Sequence, residues 1–85
     1  MQIQLRFFAS VREAVGTGQE SVSLPGDVRT VGDVRSFLRS RGGAWAEVLA
    51  EGKALRMACN QQMTDAATPI SEGCEVAFFP PVTGG

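Results

Sequence analysis

Few residues in this chain could take part in covalent chemistry: two cysteines, Cys59 and Cys74, a scatter of carboxylates, and the terminal carboxylate of Gly85. There is no histidine. That removes the commonest general base and the commonest neutral metal ligand together. It also rules out a Ser-His or Cys-His nucleophile built within the chain. The cysteines form no CxxC, so zinc would be left with two thiols and carboxylates in no recognisable spacing, and no metal site is expected. Without a secretion signal, both thiols are expected reduced. Self-contained catalysis is therefore not expected, and attention passes to the end of the chain.

The last eight residues read Phe78-Phe79-Pro80-Pro81-Val82-Thr83-Gly84-Gly85. Two aromatics close an apolar strand, and two prolines, lacking a backbone N–H and fixing φ, stop further pairing. Six residues beyond Phe79 reach about 20 Å when extended. The glycines, without Cβ atoms, could pass through a channel closed to other residues. On these residues alone two readings stand: a frayed terminus, or a tail that carries its carboxylate into another protein's pocket.

The elements that would position such a tail are legible from periodicity. Gln2 to Phe8 alternates, with Ile3, Leu5 and Phe7 on one face and Gln2, Gln4, Arg6 and Phe8 on the other. Ser10 and Glu13 have the spacing of a capping box, which predicts a two-turn helix ended by Gly16. Glu20 to Leu24 alternates again, and Pro25-Gly26-Asp27 is a turn. A second helix is predicted from Thr30, capped with Asp33, its apolar stripe Val31, Val34, Phe37 and Leu38. Arg35, Arg39 and Arg41 fall on its other side, read as a solvated face or an acidic partner's contact.

Gly42-Gly43 breaks that helix, and Ala44 to Glu51 forms a short helical piece with Trp45 as a core plug. Leu55, Met57 and Cys59 alternate in a third strand ending at Asn60-Gln61, with a short return strand around Gln62 to Thr64. The turn Ser71-Glu72-Gly73 leads into a last strand, with Val76 and Phe78 facing in and Phe79 out. Cys74 is expected at that turn, partly exposed.

A chain of 85 residues, 44% hydrophobic and 20% charged, supports one small domain. With net charge −1, nothing draws it to nucleic acid or an anionic membrane. No apolar run is long enough to span a bilayer, and the start Met1-Gln2-Ile3-Gln4-Leu5 is unlike a signal peptide, so the cytoplasm is the expected location. The pattern predicts an α+β fold, a mixed sheet of four to five strands packed on one main helix plus short helices. Residues 1–79 would form the domain and 80–85 a flexible tail. If the first and last strands are parallel neighbours, Phe8 and Phe79 meet at the tail's base, and Met63 can join them. Clustered exposed aromatics there suggest a docking patch.

These same stretches carry a family likeness. Leu5-Arg6-Phe7-Phe8-Ala9 with Val11-Arg12-Glu13, Asn60-Gln61 with Thr68-Pro69-Ile70, and above all Glu75 through Gly85 resemble the small subunit of molybdopterin synthase. That group, MoaD, belongs to the ubiquitin-like β-grasp sulfur carriers. The resemblance covers nearly the whole chain. It departs at Cys74, where the family often has aspartate, and at Cys59, where it often has an aliphatic residue.

The resemblance implies that an ATP-dependent activating enzyme adenylates Gly85 and that a sulfur donor replaces AMP to leave a thiocarboxylate. The tail then enters the large subunit and gives sulfur to cyclic pyranopterin monophosphate, forming the dithiolene of molybdopterin. No cofactor is held permanently; AMP and sulfur are transient. Gly85 carries the reactive group, Gly84 gives clearance, and Thr83, Val82, Pro81 and Pro80 line the path. Phe8, Met63 and Phe79 match the apolar docking surface, with Arg12 at its rim. The implied assembly has two small and two large subunits, and the chain is its non-catalytic, sulfur-donating member. A thiamine-type carrier and a ubiquitin-like protein modifier are the alternatives.

Overall fold

The computed structural model describes residues 1–81. The chain runs β1 (Gln2–Phe7), α1 (Ala9–Val15), β2 (Gln19–Ser23), α2 (Val31–Arg39), α3 (Gly43–Val48), β3 (Arg56–Cys59), β4 (Gln62–Thr64) and β5 (Glu75–Phe79). The strands form one mixed sheet in the order β2-β1-β5-β3-β4. β1 and β5 are parallel, with Leu5 opposite Val76 and Phe7 opposite Phe78. The other three pairings are antiparallel. This is the ubiquitin-like β-grasp. No helix dominates it: α2 has nine residues, α1 seven and α3 six.

The strand alternation decides which face is buried. Ile3, Leu5, Phe7, Val22, Leu24, Val76 and Phe78 point inward and meet Val31, Val34 and Leu38 of α2. Each such side chain, fully removed from water, stabilises by about 1.5–3 kcal/mol. An exposed ion pair such as Arg39–Glu51 gives about 0–1 kcal/mol, so the core outweighs it. Phe37 of the apolar stripe of α2, and Leu55 and Met57 at the third strand, are only partly buried against it. Val11, Leu49, Ile70 and Cys74 join it as well. Trp45 is a half-buried wall, its ring edge-on to Phe7 at 5.3 Å between centroids.

The start of α2 follows its sequence signal. The Thr30 hydroxyl accepts from the Asp33 N–H at 3.1 Å, and the Asp33 carboxylate accepts from the Thr30 N–H at 3.2 Å. The predicted box at Ser10 does not form. Phe8, extended at φ −130°, is the N-cap of α1 without any side-chain bond, which leaves Ser10 inside the first turn. Phe8 supplies its carbonyl to the N–H groups of Val11 and Arg12 instead. Gly16 does end α1 in the left-handed region at φ 80°.

Two of the three arginines read as the outer side of this helix, Arg35 within α2 and Arg41 just past its end, make contacts inside the chain, while Arg39 stays in an exposed ion pair. Arg35 donates to the carbonyl oxygens of Leu49 at 2.7 Å and of Ala50, closing the C-terminal end of α3. Arg41 makes a two-pronged ion pair with Glu20 and lies 4.6 Å from the centre of the Trp45 ring. Long, flexible side chains reach across the fold in a way that helical spacing does not reveal.

Candidate functional site: the aromatic edge at the base of the tail

Parallel pairing of β1 with β5 carries both chains outward in the same direction, one residue past the Phe7–Phe78 pair. Because side chains alternate, Phe8 and Phe79 then share the face opposite the core. Their rings meet edge to face, with centroids 6.2 Å apart at 88°. Phe8 is 42% exposed, and Phe79 is half-buried beneath the edge where Pro80 leaves the sheet. Aromatic pairs of this geometry add about 0.5–1.5 kcal/mol beyond area burial, so the edge is held in place before any partner arrives.

One row back, register aligns Arg6 with Ala77, Ala77 with Ala58, and Ala58 with Met63 across four strands. The two alanines are buried and form a shallow floor. Met63 stands at one end of it, 59% exposed, and Arg6 at the other. The third exposed large hydrophobic among the described residues, Met1, lies at the far end of β1. β4 can place Met63 here because the hairpin before it is tight. Asn60 and Gln61 both have positive φ, 51° and 66°, the pattern of a type I′ turn, and Asn60 Oδ1 fixes the turn by accepting from the Glu75 N–H at 3.0 Å.

Arg6, on the outward face by its alternation, stands two residues before Phe8 on the same side of β1. Its guanidinium carbon lies 5.5 Å from the Phe8 ring centre, and one terminal nitrogen lies 3.6 Å from Glu75. Arg12, exposed on α1, shares with Arg6, Phe8, Thr17, Gly18 and Gln19 a hollow of about 290 Å³. A larger open groove of about 720 Å³ lies between α1, α3 and the segment before β3. Pro80 lines it together with Ser10, Glu47, Val48, Lys53 and Leu55. Pro80 and Pro81 are half-buried, and Val82, Thr83, Gly84 and Gly85 lie outside the described residues.

The cysteines contribute no reactive centre here. Cys74, expected at an exposed turn, is buried, because the chain has already joined the sheet at that point: its carbonyl accepts from the Gln4 N–H at 2.9 Å. Burial pushes the Cys59 thiol up from its ordinary range, and the neighbouring Cys74 thiol pushes it further the same way. A thiol raised in this way, as at Cys59, is a poor nucleophile at neutral pH. Among the described residues no group of three or more Cys, Asp or Glu side chains could hold a metal ion. Nor is any helix among them long and apolar enough to cross a membrane.

The chain belongs to the ThiS family, whose model matches residues 5–85. It is 43% identical over 83 residues to the molybdopterin synthase sulfur carrier subunit of Escherichia coli, covering 98% of this chain and 99% of that one. It is 35% identical over 94 residues to small archaeal modifier protein 3 of Haloferax volcanii, covering the whole of both. Its fold matches a chain in the complex of subunits 1 and 2 of the molybdopterin-converting factor from Helicobacter pylori, with a TM-score of 0.68 at 22% identity over the full length of both chains.

Proposed function

We propose that this chain is the sulfur-carrier subunit of a molybdopterin synthase and that its working group is the carboxylate of Gly85. One observation supports the reading most: β5 runs beside β1 and ends in the Phe8–Phe79 pair, so a tail that begins at Pro80 starts from a docking surface. The high identity to a carrier of that name across nearly the whole chain agrees with it.

The chemistry follows from the groups available. A carboxylate is a poor electrophile, so an activating enzyme couples it to ATP, releasing pyrophosphate and leaving a mixed anhydride with AMP. A sulfur donor attacks the carbonyl carbon and expels AMP, and the product is a thiocarboxylate. Its charged sulfur attacks cyclic pyranopterin monophosphate inside the large subunit. Water then cleaves the acyl–sulfur bond to return the Gly85 carboxylate and leave sulfur on the pterin, and two such transfers complete the dithiolene. This chain has no histidine, the commonest general base, so the acids and bases of the transfer are assigned to the large subunit. Domain 1–79 anchors, and residues 80–85 form the tail, with Thr83 and Val82 along the path. Docking of Phe8, Met63 and Phe79 raises the effective concentration of the tail at the pocket. The pairing of two small with two large subunits, and a cytoplasmic setting where ATP is available, belong to the same proposal.

The test is reconstitution with the large subunit. Deleting Gly84 and Gly85 is expected to abolish pterin sulfuration while leaving the thermal transition unchanged. Sulfuration that survives the deletion overturns the tail mechanism. The 35% identity to a protein named as a modifier favours a second reading, in which the same carboxylate is joined to lysine amines. Intact mass separates the two: a species heavier by the sulfur–oxygen difference marks the carrier, and isopeptide adducts alone mark the modifier.

A further inference from the structure

The docking face is not wholly apolar, because Arg6 stands in its middle row. We propose that Arg6 is a specificity residue for the partner subunit, recognising a carboxylate on the partner's docking surface. The inference rests on the docking role proposed above and adds the chemistry of the surface that must meet it.

Three observations carry it. First, register puts Arg6 in line with Ala77, Ala58 and Met63, one row behind the Phe8–Phe79 edge, so any surface seated on that edge also covers Arg6. Second, its donors are poorly met within the chain. Nε is buried with no hydrogen-bond partner, and Glu75 reaches a terminal nitrogen at 3.6 Å, an ion pair too long for a good hydrogen bond. The side chain nonetheless remains 40% exposed, so the head is open to an incoming group. Third, Arg12 lines the same hollow, and no carboxylate lines it. The guanidinium of Arg12 lies across Gly18, where an added Cβ would stand 3.2 Å from its Nε. Two guanidinium groups thus stand near the single carboxylate of Glu75, which leaves an excess of positive charge, and charge complementarity calls for an acid on the other side.

Energetics point the same way. Covering a guanidinium with an apolar surface strips water from donors that Glu75, at 3.6 Å, satisfies only loosely, and that desolvation is costly unless a second acceptor replaces the water. A carboxylate placed against Arg6 accepts two parallel N–H bonds, which fixes orientation as well as charge. The cation–π contact with Phe8, 5.5 Å from guanidinium carbon to ring centre, restrains the head in advance, so less freedom is lost on docking.

The experiment measures the dissociation constant of the full chain and its large subunit for the unaltered chain, Arg6→Gln, Arg6→Lys, Phe8→Ala and Met63→Ala, each at low and high salt. Arg6→Gln is expected to weaken binding at least tenfold at low salt, with a smaller loss at high salt and with sulfuration restored at saturating large subunit. Arg6→Lys is expected to recover part of the affinity. If Phe8→Ala and Met63→Ala weaken binding and Arg6→Gln does not, the inference about Arg6 is wrong while the docking face stands. If none of them weakens binding, the docking reading itself fails. Thermal melts of each variant separate lost binding from lost folding.

Discussion

At the scale of single residues, neighbours with similar chemistry do different jobs. Phe78 is fully buried and Phe79 is not, although they adjoin in sequence. Phe78→Ala is expected to cost about 3–5 kcal/mol of stability. A urea titration would show this as a lower midpoint. Phe79→Ala should change stability by no more than about 1 kcal/mol, allowing for the aromatic pair it removes, and weaken the large subunit's binding instead. Equal losses of stability in the two variants would contradict the assignment. Alternation makes this division legible from sequence, since adjacent strand residues face opposite ways. The identity of the outward neighbours was less legible: Arg6 has the pattern of any solvated arginine, and only the register of β1 against β5 shows what it stands beside.

The carboxylates make a pH prediction at the same scale. Glu20 is held below its ordinary value of 4.5, first by its hydrogen bond from Arg41 and then by that cation's charge, against an opposing effect of burial. Asp33 is held below its ordinary 3.8, chiefly by the Arg29 N–H, with the Thr30 cap adding to it. Both groups therefore bind protons more readily in the unfolded chain. Their contribution is fully present at neutral pH and is lost as pH falls from the mid-4s through the folded values. Melting temperature is expected to drop across that window, and Glu20→Gln should flatten the drop. A profile identical to that of the unaltered chain would rule out the Glu20–Arg41 pair as a contributor.

At the scale of elements, the signals that succeeded were local ones. Thr30 with Asp33 defined the start of α2, Gly16 the end of α1, and Asn60-Gln61 the hairpin, because each depends on one or two backbone positions. Thr30→Ala is accordingly expected to cost about 1 kcal/mol, readable as a fall in melting temperature. Ser10 carried the same signal and failed, since the extended Phe8 had already taken the capping position. Arg35 shows the other limit. It ties α2 to the end of α3 through carbonyl oxygens, a long-range use that no periodicity announces. Arg35→Met keeps the stem and removes the donors, so it should loosen α3 specifically, seen as faster amide exchange there than in α2. Uniform exchange across both helices would argue against that role.

At the scale of the whole molecule, the likeness of the chain's end to a known family identified the fold more readily than any balance of propensities. Sheet order was beyond local reading: β5 enters between β1 and β3, and the sequence offered that only as a condition. The burial of Cys74 is beyond local reading for the same reason, since it depends on β1, some seventy residues away in sequence.

That central pairing has a kinetic consequence. The first strand of the chain cannot acquire its parallel neighbour until the last has left the ribosome, and contacts between such distant segments form slowly. The docking edge, built from Phe8 at one end of the sequence and Phe79 at the other, therefore exists only in a chain that has finished folding. Any partner that binds through this edge thus meets only folded chains, and a chain cut before β5 offers it nothing to bind.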